Sequence, residues 1–249
     1  MLLCRSAPER KALRHLGGTH LNRTVQGDGA ARHSRRAPLL IADTRILPVP
    51  APDLKAELRR RLRAQRAAVP PEEQAAAARR LGAHLTATRF FRVSRRIACY
   101  LPNDGEIDTG AVIDHIWNMR KTCWLPVLSR LTRDRLWFAP ARPGMELRPN
   151  RYGIPEPVVH ARDLVRAQEL DLILLPLVGF DAAGNRLGMG GGFYDKSLDF
   201  LRHRNRWRKP HLLGLAYDFQ MLDRLPADEG DVPLAGTVTD RAVYPAAET

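Results

Sequence analysis

The amino-acid sequence predicts an α/β fold, a mostly parallel central sheet with helices packed on it. Short β-branched and aromatic runs alternate with stretches of helical periodicity, the pattern of strand–helix–strand units. One run, "DLILLPLVGF" (171–180), is almost continuously apolar, as expected of a strand buried on both faces. Turn chemistry in "DAAGN" (181–185) then leads through three consecutive glycines into another helical segment.

Order begins after a proline-rich boundary, "ILPVPAPD" (46–53). In "DLKAELRRRLRAQRA" (53–67), Leu54, Leu58 and Leu62 recur at i, i+4 and i+8 on one helical face, and Lys55, Arg59, Arg63 and Arg66 form a basic stripe beside it. Pro70 and Pro71 stop that helix. Glu72 and Glu73 open the next, where acids suit the positive end of the helix. "RIACYLP" (96–102) reads as a strand, and "GEIDTGAVIDHIWNMR" (105–120) as a loop and helix with Val112, Ile113, Ile116 and Trp117 on one face. "KTCWLPVL" (121–128) and "RLWFAPA" (135–141) read as strands, "RPGMELRPNRYGIPEP" (142–157) as a loop, and "DLVRAQELD" (163–171) as a short helix. Beyond the glycines, Tyr194, Leu198 and Leu201 return to helical spacing; "HLLGLAYD" (211–218) and "GTVTDRAVY" (236–244) complete the strands. No internal repeat is visible.

Composition bounds the function. At 249 residues, 44% hydrophobic and 27% charged, the chain matches a globular protein with a sizeable core. No segment approaches the ~18 consecutive apolar residues that cross a bilayer. Cys4, Cys99 and Cys123 form no CxxC pair and the eight histidines no ligand cluster, which argues against a structural zinc or a disulfide framework and suits a reducing cytosol. Net charge is +13, and residues 1–50 carry nine Lys/Arg against three acids. Such a balance suits nucleic acid, a membrane surface or a small polyanionic substrate, or reflects arginine-rich coding alone. Residues 1–50 lack sustained periodicity and a long apolar core; they are expected to be a disordered basic leader or the product of a start placed too early. The fold is assigned to residues 51–249 as a single domain.

The stretch "NRLGMGGGFYDKSL" (185–198) carries the chemistry. A glycine-rich loop between a buried strand and a helix lies at the carboxyl edge of a parallel sheet, where backbone N–H groups approach an anion and the helix adds its positive end. The dinucleotide pattern GxGxxG fails, because Phe193 stands at its third glycine. A P-loop begun at Gly190 carries Asp195 where the second glycine belongs, and a carboxylate there fits phosphate only through a cation; the Lys196-Ser197 match is coincidental.

"GNRLGMGGGFYD" resembles the signature of the 5-formyltetrahydrofolate cyclo-ligase (5,10-methenyltetrahydrofolate synthetase) family. The likeness runs in the family's order from "LKAELRRRLRAQRA" through "YLPNDGEIDT", "YGIPEP" and "DLILLPLVGFDAAGNRLG" to "GDVPLAGTVTD", over roughly residues 54–244. It implies a three-layer, Rossmann-like sheet of the CoA-transferase type with helices on both faces. It also implies ATP- and magnesium-dependent closure of 5-formyltetrahydrofolate to 5,10-methenyltetrahydrofolate, with ADP and phosphate released. Phosphorylating the formyl oxygen makes it a leaving group for attack by N10, so the protein's task is alignment and charge stabilisation.

By the same resemblance Arg186, Leu187, Gly188, Met189, Gly190, Gly191, Gly192, Phe193 and Tyr194 form the ATP and transfer loop, joined by Lys55 and Arg59. Met189 through Phe193 also face the folate, with Leu101, Glu106 and Tyr152 as pterin contacts. Arg186, Tyr194 and Asp195 are the catalytic candidates, and Asp195 and Asp231 the magnesium ligands. Taken alone, Asp195 equally suits helix capping, Tyr194 and Tyr152 packing, Glu106 helix entry, and Lys55, Arg59 and Arg186 solvated charge. The chain departs from the family pattern at Ala51, where a lysine is usual, and at Gly230 and Ala235 around Asp231. The partners implied are small molecules, with no nucleic acid and no membrane, acting on a cytoplasmic monomer. The competing reading is a basic nucleic-acid-binding protein on the same fold without ligase activity, although no RNP, helix-turn-helix or zinc-finger pattern is present.

Overall fold

In the computed structural model, which describes residues 51–129, 134–204 and 209–246, the alternation of periods becomes a seven-stranded sheet with two small hairpins. The leader expected over residues 1–50 lies outside the described residues. In chain order the elements are α1 (Ala51–Ala67), α2 (Pro71–Ala87), α3 (Arg89–Val93), β1 (Arg96–Ala98), α4 (Gly110–Asn118), β2 (Thr122–Leu128), β3 (Leu136–Ala141), β4 (Leu147–Pro149), β5 (Pro155–Pro157), β6 (Leu172–Pro176), β7 (Gly179–Phe180), β8 (Arg186–Leu187), α5 (Phe193–Leu198), β9 (His211–Ala216), β10 (Gly236–Thr239) and β11 (Val243–Pro245).

The sheet order is β11-β10-β9-β6-β1-β2-β3. The five strands from β10 to β2 are mutually parallel, and antiparallel β11 and β3 close the edges. Period-two alternation sorts the side chains onto two faces. Ile97, Cys99, Leu172, Leu174, Leu213 and Leu215 meet Leu81 and Leu85 of α2 and Val112, Ile113 and Ile116 of α4. Ala98, Ile173, Leu175, Leu212 and Ala216 pack beneath Leu198 of α5 and the Ala167–Leu170 turn. A third cluster, Leu62, Val178, Leu187 and Leu225, fastens α1 to the β7–β8 hairpin.

Several expected elements are corrected. The run 171–180 is two strands, because beyond Pro176 the Leu177 and Val178 carbonyls accept from Gln220 Nε2, each at 2.9 Å, instead of a neighbouring strand. β7 then pairs with β8, so a hairpin stands between the buried strand and the glycines. Residues 236–244 form two antiparallel strands, not one. Thr239 Oγ1 accepts from the Arg241 and Ala242 N–H groups (3.1 and 3.0 Å) and turns the chain back. Residues 163–171 hold a single 3₁₀ turn, Ala167–Glu169, since Val165 exchanges two 2.9 Å bonds with Phe138 at the sheet edge. The loop 142–157 contains the β4–β5 hairpin. On α1, Arg66 leaves the basic stripe: it lies one turn beyond Leu62, and like Leu62 it is buried.

Candidate active site

Strand order reverses direction between β1 and β6, and a cavity of about 830 Å³ opens at the carboxyl ends of those strands. This is the switch point where open α/β sheets take ligands. Every site residue expected from the sequence lines this one cavity, from Lys55 and Arg59 of α1 to Asp231 near the C-terminus.

The glycine loop forms one part of the lining. Gly190 has φ +98° and Gly192, the residue before α5, φ +65°, conformations in which a side chain is strained. Arg59 lies across the loop: its Nε donates to the Gly188 carbonyl at 2.8 Å, and its guanidinium is 3.7 Å from where a Gly190 Cβ would stand. Among the described residues, the N–H groups of Gly190, Gly191 and Gly192 bond to no protein acceptor. The helix that follows has only six residues, so the loop amides and cations matter more here than its dipole. Ser197 is not free for a P-loop role, since its hydroxyl donates to the Phe193 carbonyl (2.6 Å) and accepts from the Leu136 N–H (2.7 Å).

Acids and cations are already paired around the loop. Lys55 Nζ lies 2.7 Å from Asp228 and 3.9 Å from Asp231. Arg186, nearly buried, donates to the Asp195 carboxylate and the Val232 carbonyl. A buried guanidinium requires such a partner, so the charge of Arg186 is matched within the protein. Asp195 and Asp231 thus sit in separate ion pairs, and no group of three metal-ligating side chains occurs among the described residues. Arg186 engages Asp195 Oδ1, and Asp231 Oδ2 accepts from the Asp228 N–H at 2.8 Å. Their other carboxylate oxygens are the hard donors that a divalent cation such as magnesium takes, and by themselves they would fill only one or two of its positions.

A second part of the lining is built on the residues that follow β1. Thr109 Oγ1 donates to the Tyr100 carbonyl (2.5 Å), and the Tyr100 hydroxyl to the Ile107 carbonyl (3.2 Å), closing the loop that carries Glu106. The Glu106 carboxylate accepts from the Asn103 N–H at 3.1 Å, and burial pushes its carboxyl up to about 7. Burial also holds the Tyr194 phenol well above its ordinary range, so it remains a proton donor. Leu101, Leu125 and Pro126 supply apolar wall. The tip of the β4–β5 hairpin brings Tyr152 edge-on to Phe193, ring centroids 5.9 Å apart, across the cavity mouth. That tip is held by Asn150 Oδ1, which accepts from the Tyr152 and Ile154 N–H groups. Glu156 in turn accepts from Asn150 Nδ2 and from the Leu128 N–H at the end of β2.

Sequence reasoning missed Tyr100, Asn103, Asp228 and Glu156, all of which line the cavity. Tyr100 and Asn103 are neighbours of Leu101 and Glu106 in the chain. Asp228 and Glu156 act through folded contacts that no local pattern announces.

The model of the "5-formyltetrahydrofolate cyclo-ligase family" matches residues 52–240. The Escherichia coli K12 protein named 5-formyltetrahydrofolate cyclo-ligase is 36% identical over 183 residues, 74% of this chain and 98% of that protein. The Haemophilus influenzae protein of the same name is 41% identical over 145 residues, 57% of this chain and 74% of that one. The solution structure of Aquifex aeolicus 5,10-methenyltetrahydrofolate synthetase superposes with a TM-score of 0.66 at 29% identity, covering 79% of this chain and 94% of that one.

Proposed function

This chain belongs to the 5-formyltetrahydrofolate cyclo-ligase family, and from that premise we propose that it closes 5-formyltetrahydrofolate to 5,10-methenyltetrahydrofolate at the expense of ATP. The observation that carries this reading is one cavity lined by two unlike sets of groups. Unpaired glycine amides with Lys55 and Arg59 form one, and the Glu106 carboxylate with the apolar Leu101, Leu125 and Pro126 forms the other.

Triphosphate lies along Gly190–Gly192, with Lys55 and Arg59 meeting its charge. The pterin lies between Leu101 and Tyr152, and Glu106 accepts hydrogen bonds from its N–H groups. Met189 and Phe193 border both ligands, and Leu187 and Gly188 shape the loop's entry. The formyl oxygen attacks the γ-phosphorus; the new O–P bond forms as the bond to the β–γ bridging oxygen breaks, and ADP departs with that electron pair. N10 then adds to the formyl carbon and loses its proton. Phosphate leaves with the C–O electrons, and the ring closes as an amidinium. The Tyr194 hydroxyl donates toward the oxygen that accumulates charge, and Arg186 fixes Asp195 and the loop around Val232. Asp195 and Asp231 would hold magnesium, which when bound would supply charge shielding for the phosphates.

Residues 51–249 act as one catalytic unit, and the enzyme is a cytoplasmic monomer. Cys99 and Cys123 are free thiols, which suits a reducing compartment. Purified protein given ATP, magnesium and 5-formyltetrahydrofolate is expected to generate the methenyl chromophore with one ADP per turnover. Omission of ATP or magnesium should abolish the signal. Product formed without ATP, or none with it, refutes the proposal.

A further inference from the structure

Glu106 owes its placement to a residue outside the cavity. Arg66, in the last turn of α1, is fully buried, although an apolar side chain there would avoid the cost of desolvating a cation. Its Nη2 donates to Asp104 Oδ2 at 2.7 Å, its Nη1 reaches the Leu177 carbonyl at 3.4 Å, and its Nε has no partner. Arg63, one turn earlier, grips the same carboxylate through Nε and Nη2 at 2.7 and 3.1 Å. Asp104 and Gly105 both take left-handed backbone, φ +52° and +72°. A Gly105 Cβ would stand in van der Waals contact with the backbone and Cβ of Arg66, at 3.4–3.5 Å. The turn is thus wrapped onto Arg66, and Glu106 is the next residue.

We infer that Arg66 is a positioning residue for Glu106: a cation held within the core that grips Asp104, fixes the 103–106 turn and keeps the Glu106 carboxylate directed into the cavity. The part of this inference that concerns substrate rests on the proposed contact between Glu106 and folate. The ionisable groups acting around Glu106 are Arg66 from α1, Asp104 of the same turn, Tyr100 beyond β1 and Tyr194 of α5. Burial raises the carboxyl, Arg66 opposes that rise and Asp104 adds to it. Arg66 therefore orients the group and also favours its charged form.

The test is carboxyl titration of protein labelled with ¹³C in its glutamate side chains, with the Glu106 signal assigned by its loss in Glu106→Gln. Folate and ATP kinetics are measured in parallel. Arg66→Met is expected to raise the Glu106 midpoint by about half a pH unit or more. It should raise KM for folate several-fold at neutral pH, with KM for ATP within about twofold. Arg66→Lys, which keeps the charge, should restore most of the midpoint. An unmoved midpoint in folded Arg66→Met overturns the inference. Should that variant fail to fold, Asp104→Asn decides: loss of a like charge lowers the midpoint, while the loosened turn still raises KM for folate. An unmoved midpoint or an unchanged folate KM there overturns it. If instead the midpoints move as stated and Glu106→Ala leaves folate KM unaltered, Arg66's hold on Glu106 stands and the folate contact is what fails.

Discussion

Glu106 illustrates how burial in a cavity wall sets a side chain against the stability of the fold. Its carboxyl, normally near 4.5, titrates near 7 in the folded chain because burial disfavours the charge. Below pH 4.5 folded and unfolded chains both hold the proton and no cost arises. As pH rises toward 7 the unfolded chain ionises first, the native state loses stability, and above 7 the loss is complete. Glu106→Gln should therefore melt at the same temperature as the parent at pH 4 and higher than it at pH 8, while binding folate poorly. Calorimetry at the two pH values checks this, and an equal gain at both would contradict it. The identity of Glu106 was legible because its loop resembles a family motif, and its protonation was not, because burial is a property of the assembled cavity. Arg66 left a fainter trace. It continues the Leu58–Leu62 spacing by four, and a cation on the apolar face of a helix marks a charge that must find its partner indoors.

At the scale of elements, the glycine loop is suspended between a hairpin and a short helix. Gly190 needs positive φ, so an alanine there costs about 1–2 kcal/mol of local strain before any ligand is considered. Gly190→Ala should lower kcat/KM for ATP by tenfold or more through displacement of neighbouring amides, while KM for folate rises less. Steady-state kinetics with each substrate varied would show it, and an equal effect on both substrates would argue against the placement of the triphosphate. The strands around this loop were readable from apolar runs and their boundaries were not. Leu177 and Val178 look like strand residues because their side chains are buried, yet their carbonyls go to Gln220, forty-odd positions away. Thr239 likewise reads as a strand former, and its hydroxyl reverses the chain.

For the whole molecule, alternating periods sufficed to indicate a parallel sheet, and a parallel sheet places its site at the carboxyl edge. The basic surplus proved less informative. Arg60, Arg80, Arg148, Arg202 and Lys209 each pair with an acid at or near the surface, so part of the positive charge is matched within the chain. With MgATP at a hundred times its Kd, ligand-linked stabilisation is expected to reach about 2.7 kcal/mol, several degrees in Tm. Lys55→Ala should abolish most of that gain, read against the variant's own ligand-free Tm because the Lys55 side chain is itself mostly buried beside exposed Asp228. A differential melting experiment with and without nucleotide separates these outcomes, and a full gain retained by the variant would remove Lys55 from the nucleotide site. The small cluster of Leu62, Val178, Leu187 and Leu225 fastens α1 to the β7–β8 hairpin, while Phe180 roots the hairpin in the core beneath α5 and Arg66 roots α1 in the interior. Both segments contribute to the wall of the cavity, so this joint sets their spacing and with it the width of the passage through which a bulky ligand must leave.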